Sequence, residues 1–169
     1  MTDLTEQLKA ERQIIGVSPI EVSPEAYEIT FSDGQRITAD ANHQWVVTGG
    51  PKLNLKAIEA CLLWGKAPER IDPQSVVTVL HSLGENLADW IVSTEALRHT
   101  LNMVDVHLDN EGLYNSEALR RGIIERARQI SVGTPNLLDD ECVLSTGEML
   151  ALMQDSRHKG FGLRRDPGE

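Results

Sequence analysis

The residue with the clearest chemical setting is His43. It stands in Thr38-Ala39-Asp40-Ala41-Asn42-His43-Gln44-Trp45, where a strand should end, with Asp40 three positions ahead of it. A carboxylate at that spacing reaches an imidazole across a turn and can fix its tautomer. An imidazole held in this way donates a proton to a leaving amine or polarises a backbone amide. A turn histidine whose ring simply packs on Trp45 fits the same residues with no chemistry. Asp40 and His43 are therefore the candidate catalytic pair.

The remaining histidines, His81, His99, His107 and His158, lack a second histidine or carboxylate at metal-ligand spacing and read as structural. Cys61 and Cys142 lie about 80 positions apart, outside any CxxC or Cys/His cluster, and read as buried free thiols. No metal site and no cofactor are expected; there is no P-loop and no GxGxxG. Two arginine groups remain. Arg120, Arg121, Arg126 and Arg128 fall on a helical stretch, and Arg157, Lys159, Arg164 and Arg165 lie near the end. Glu117 and Glu125 alternate with the first group, the pattern of a solvated, ion-paired face. A nucleic-acid surface requires Arg120, Arg121, Arg128, Arg164 and Arg165 to merge into one positive patch.

These side chains need elements to position them. Tyr27, Ile29 and Phe31 alternate with Glu28 and Thr30, the period of a half-buried strand. Ser32-Asp33-Gly34-Gln35 is a hairpin turn, and Arg36–Ala39 returns as a second strand. Residues 13–48 read as an antiparallel β-meander of about four strands, ended by Gly49-Gly50-Pro51. Beyond 53 the period becomes helical. One helix carries Leu55, Ile58, Cys61, Leu62 and Leu63. A second opens at Asp72-Pro73 and stops at Gly84. Short helices are expected over 86–92 and 94–101, and a strand over 103–108. Asn115 or Ser116 caps a helix with Leu119, Ile123, Ala127 and Ile130 inward and its arginines on the other faces, broken at Gly133-Thr134-Pro135-Asn136. A short strand at Cys142–Leu144 leads to the capping box Ser145-Thr146-Gly147-Glu148 and a helix to about Ser156. Residues 1–12 read as frayed or loosely packed, the tail from Lys159 reads as a loose strand or disordered, and no internal repeat is visible. The fold class is α+β, a small β-rich segment over 1–50 and a mainly helical region over 51–169, with the strand and capped helix near 142–156.

The stretch YEITFSDGQRITADANHQWVV, residues 27–47, resembles the Hint domain of inteins, in particular those with phage or helicase hosts. There a strand, an Asp-Gly turn and a second strand lead to a block ending in Thr/Asp-x-x-His, matched here by Asp40-Ala41-Asn42-His43. CVLSTGEMLAL, residues 142–152, is similar to a later segment of some phage-borne members; the two stretches cover about 32 of 169 residues. The resemblance implies that His43 assists an acyl shift and that Asp40 occupies the position usually held by Thr. Splicing also requires a leading Cys or Ser and a terminal His-Asn. This sequence opens with Met1, closes with Asp166-Pro167-Gly168-Glu169, and places both cysteines after the His block. The expectation is a Hint-related domain of phage or mobile-element origin that does not splice alone. The alternative is a non-catalytic acidic module that binds or regulates a protein partner.

Composition narrows the partners. The 169 residues carry 16 Lys+Arg against 26 Asp+Glu, a net charge of −10. Residues 1–50 hold 3 basic and 8 acidic side chains and the rest hold 13 and 18, so each part is at −5 and neither is a basic module. Phosphate-backbone binding is disfavoured on that balance, and a protein partner is expected. No apolar run is long enough to span a membrane. The charged start lacks the apolar core of a signal peptide, so a cytoplasmic location is expected.

Overall fold

The computed structural model of the chain describes residues 13–20, 23–63, 67–84, 90–131, 140–154 and 160–165, with the side chains at 23–25, 131, 164 and 165 left out. It is an α+β protein. Its chain divides into two compact units, residues 1–50 with 135–169, and residues 51–134. The composition shift at Gly49-Gly50-Pro51 marks the first crossing. The second lies where the chain re-enters the sheet, so residues after 134 complete the first unit rather than extend the helical region.

The strands of the first unit are β1 (Gln13–Ile20), β2 (Ser23–Phe31), β3 (Arg36–Asp40), β4 (Gln44–Thr48), β7 (Glu141–Ser145) and β8 (Phe161–Arg165). They form a six-stranded antiparallel sheet ordered β3-β2-β1-β8-β4-β7. The meander runs from β1 to β3. The chain then leaves it: β4 lies on the far side of β8 and pairs with β8 and β7. In β4 three consecutive residues, Trp45, Val46 and Val47, are buried, so both faces of this strand are covered. In β2 burial alternates as read, with Tyr27, Ile29 and Phe31 inward. The turn after it uses Gly34 at φ +88°, and the Asp33 carboxylate accepts the Gln35 N–H at 2.9 Å. Of the two readings of the tail, a loose strand or disorder, the strand is what forms, as β8. Phe161 and Leu163 are buried there, and Gly162 leaves room for the Thr48 hydroxyl against it.

The second unit builds one motif twice. Helix α1 (Leu55–Cys61) leads to β5 (Arg70–Ile71) and α2 (Pro73–Leu83); helix α3 (Thr94–Asn102) leads to β6 (Tyr114–Asn115) and α4 (Ser116–Ser131). The two-residue strands pair antiparallel, Ile71 opposite Tyr114. Each runs into a side-chain cap: Asp72, just after β5, accepts from the Ser75 amide at 2.9 Å, and Asn115, the last residue of β6, from the Ala118 amide at 3.0 Å. Apolar residues then recur at matching offsets, Val76 and Leu80 in one half, Leu119 and Ile123 in the other, all buried. Helix α2 packs on α3, and α4 packs on both α3 and α1.

The strand expected over 103–108 is absent. Those residues terminate α3 instead. Asp105 takes φ +59°, the Val106 N–H reaches back to the Leu101 carbonyl and the Asp105 N–H to that of Asn102, a Schellman closure. The backbone donors that a strand would need are already used. Ile37, Val79, Leu83 and Leu150 are half-buried, and Leu63, past the end of α1, is 75% exposed. The first segment, 1–12, most of the helix expected at 86–92, the break at 133–136, the end of the helix at 155–156, and Arg157, His158 and Lys159 lie outside the described residues. No helix among the described residues is long and apolar enough to cross a membrane.

Candidate functional site

The turn that holds Asp40 and His43 joins β3 to β4. It forms because Asp40 folds back on its own backbone: its carboxylate accepts the Asn42 N–H at 2.8 Å, and its carbonyl accepts the His43 N–H at 3.1 Å. Asp40 is exposed and His43 half-buried. The imidazole meets the Trp45 ring edge-on, centroids 4.7 Å apart at 66°, the geometry aromatic pairs prefer. Asp40 and His43 thus share one turn, with the carboxylate engaged by the Asn42 amide.

The same turn receives helix α5 (Thr146–Gln154). A helix opens with N–H groups that have no partner inside it, and here four donors at its start are satisfied. The Thr146 N–H donates to the His43 carbonyl at 3.0 Å and the Gly147 N–H to the Ala41 carbonyl at 3.0 Å. The Ser145 N–H donates to the Glu148 carboxylate at 2.8 Å, and the Glu148 N–H returns to the Ser145 hydroxyl at 3.1 Å, the capping box read from the sequence. The Thr146 hydroxyl accepts the indole N–H of buried Trp45 at 2.8 Å and lies 3.4 Å from the His43 carbonyl. The two stretches that carry the Hint resemblance, 27–47 and 142–152, meet at this junction.

The arginines do not form one surface within their helix. Arg126 is fully buried, donating to Gln129 at 3.2 Å. It stands three residues after Ile123 and four before Ile130, on the apolar stripe, so the reading that α4 keeps all its arginines outside is corrected here. Arg128 is exposed and pairs with Glu125 at 3.3 Å and Glu59 at 3.4 Å. Arg120 lines a cavity of about 280 Å³ with Glu69, Glu117, Asn115 and Ser116. Arg121 is exposed. The side chains of Arg164 and Arg165 lie outside the described residues.

Sequence reasoning passed over the polar cluster on α3. His99 is 1% exposed, and its Nε2 lies 3.0 Å from the Glu95 carboxylate, which also takes the Arg98 guanidinium at 2.6 Å. The Arg98 bond, against the cost of burial, holds the Glu95 carboxyl below its ordinary range. The i, i+3, i+4 spacing of Glu95, Arg98 and His99 was the available signal. A second cluster ties β5 to the loop that leads into β6: Arg70 bonds to Asp109 through Nε at 2.8 Å and through Nη2, and reaches Glu111 at 3.4 Å. Bonds from the Leu113 amide and Arg70 keep the Asp109 carboxyl low. His81 donates Nε2–H to the Ile91 carbonyl at 2.8 Å, a structural role. Among the described residues no group of three His, Cys, Asp or Glu could hold a metal ion. Cys61 is half-buried and Cys142 buried, both free thiols.

No protein-family model, no curated protein and no solved structure matches this chain.

Proposed function

We propose that this chain is a Hint-related domain, of phage or mobile-element origin, that acts by binding a protein partner and not by splicing. One observation carries the reading. The Asp40–His43 turn anchors α5: two of its backbone carbonyls accept the first helical N–H groups, while the Asp40 carboxylate closes the turn itself on Asn42. The imidazole of the same turn packs edge-on against Trp45, the arrangement of a structural histidine. The strand, Asp-Gly turn, strand and His block succeed one another as the resemblance requires, which supports kinship in scaffold. The acidic balance of −10 and the ion pairs of Arg128 favour a protein over a nucleic acid as partner.

The test is intact-mass spectrometry of the purified chain incubated with dithiothreitol or hydroxylamine at neutral pH. The 18.7 kDa species should persist, in the parent and in His43→Ala alike. Release of a fragment that requires His43 would overturn the binding reading in favour of acyl-shift chemistry. Fluorescence polarisation with single- and double-stranded DNA at 0.15 M salt should give no saturable binding. Binding abolished by Arg120→Glu with Arg121→Glu would restore the arginine face as a site.

A further inference from the structure

Strand β3 is an edge of the sheet, paired on one side by β2 among the described residues. An unpaired edge offers a row of backbone donors and acceptors to another strand. We propose that β3 pairs antiparallel with β3 of a second copy of this chain, on a two-fold axis through Thr38, joining two six-stranded sheets into one. The inference does not depend on the Hint reading.

Two complementarities on the same axis select this partner. On one face of β3 lie Arg36, Thr38 and Asp40, all exposed. Antiparallel pairing about Thr38 sets Arg36 against Asp40 of the second copy at both ends, and opposite charges directly across a strand pair attract. Asp40 uses one carboxylate oxygen on Asn42, and Arg36 keeps a 3.6 Å contact to Glu28, so each retains capacity for a partner. On the other face lie Ile37 and Ala39. Their neighbours across β2, Ile29 and Tyr27, are buried, whereas Ile37 and Ala39 are only half-buried. The same axis sets Ile37 against Ala39 of the second copy, large against small, and continues the core face. No other register of β3 on itself gives both matches.

Five residues a side is less surface than the roughly 800 Å² per partner of a standard stable interface. The dimer is therefore weak and concentration-dependent. Its two acidic chains also repel, so it needs enough salt to shorten the Debye length to about 8 Å.

Sedimentation equilibrium of the full chain at 0.15 M salt, from about 10 µM to about 1 mM, tests the pairing at the concentrations where an interface below standard size assembles. The parent should dimerise across that range. Arg36→Glu alone faces Asp40 with like charge at both ends and should weaken the dimer at least about tenfold, as should Asp40→Lys alone. Mixed in equal amounts, the two variants set the introduced carboxylate of one against the introduced ammonium of the other. The second end of the pairing then keeps its native Asp40 opposite Arg36, so association should return. A parent monomeric throughout, a dimer insensitive to Arg36→Glu, or a mixture that stays monomeric overturns the proposal. Asp40→Lys gives up the Asn42 cap, so Thr38→Cys provides an independent check. Two cysteines on the axis fall within the separation a disulfide spans, and mild oxidation should yield a covalent dimer that the parent, with Cys61 and Cys142 alone, does not form.

Discussion

Thr146 illustrates how a single hydroxyl ties sheet to helix. It accepts the indole N–H of Trp45 from one side while its own amide donates to the His43 carbonyl. Thr146→Val keeps the shape and removes the acceptor, leaving the Trp45 N–H buried without a partner. The expected loss is about 1–3 kcal/mol in urea-induced unfolding. Glu148 gives a matched contrast in the same junction. Glu148→Ala strips the buried Ser145 N–H of its acceptor and should cost a similar amount, whereas Glu148→Gln retains a carboxamide oxygen at that place and should cost less than half as much. Equal losses for the two would mean that charge rather than capping matters there. At this scale the sequence was informative where chemistry is local. The capping box, the Asp33-Gly34 turn and the Asp72-Pro73 helix start need only neighbours in the chain. The partners of Asp40 and Arg126 were harder to read. The spacing of Asp40 pointed to the His43 ring, whereas its carboxylate takes the Asn42 amide. Arg126 was grouped with its arginine neighbours by composition, although its offset from Ile123 and Ile130 already put it on the apolar stripe.

Among the elements, α3 and α4 carry consequences that propensity alone would misjudge. Gly122 sits inside α4, where replacing glycine by alanine ordinarily stabilises a helix by about 1 kcal/mol. A Cβ there would stand 2.6 Å from Val106 Cγ2 and 3.1 Å from Leu101 Cδ2, well inside contact distance. Gly122→Ala should therefore destabilise, by about 1–3 kcal/mol as overpacking does. Adding Val106→Ala should recover much of the loss, a coupling that a double-mutant cycle of unfolding free energies reads directly. The Schellman closure that brings Val106 to α4 was invisible to periodicity, because Met103–Leu108 alternates as a strand would. The cluster on α3 sets a pH response. Glu95 has its carboxyl held low, chiefly by Arg98, so its folded pKa lies below its unfolded one. That stability is present above the ordinary Glu range and is lost as pH falls through the depressed folded pKa. Glu95→Gln should flatten the fall in Tm through that acid window by lowering neutral-pH stability slightly toward the acid value, the effect being small because the pair is half in water. A parallel fall in both proteins would assign acid sensitivity elsewhere.

For the whole molecule, the β4–β7 register settles how the chain is organised. Thr48 and Glu141 are direct partners across an antiparallel pair, so the points where the chain leaves and re-enters the sheet are neighbours. Everything between them, including the unit of residues 51–134, is an insertion that a hairpin turn can replace. Hydrophobic period located the departure at Gly49-Gly50-Pro51 but not the return. Strands β7 and β8 are short, and β8 pairs with strands formed more than a hundred residues earlier; nothing in its own residues names those partners. A chain with residues 49–140 replaced by Asn-Gly, the pair suited to a two-residue hairpin, keeps all six strands and α5. It should give a β-dominated circular dichroism spectrum and a single cooperative melt. Residues 51–134 expressed alone carry their own buried core, with Ile58, Leu80, Leu97 and Ile123 within it, and should give a helical spectrum with cooperative unfolding. If the shortened sheet failed to melt cooperatively while the helical piece did, the first unit would require its insert to fold. Failure of both would make the two units one cooperative body, and function would then have to be sought in the intact chain.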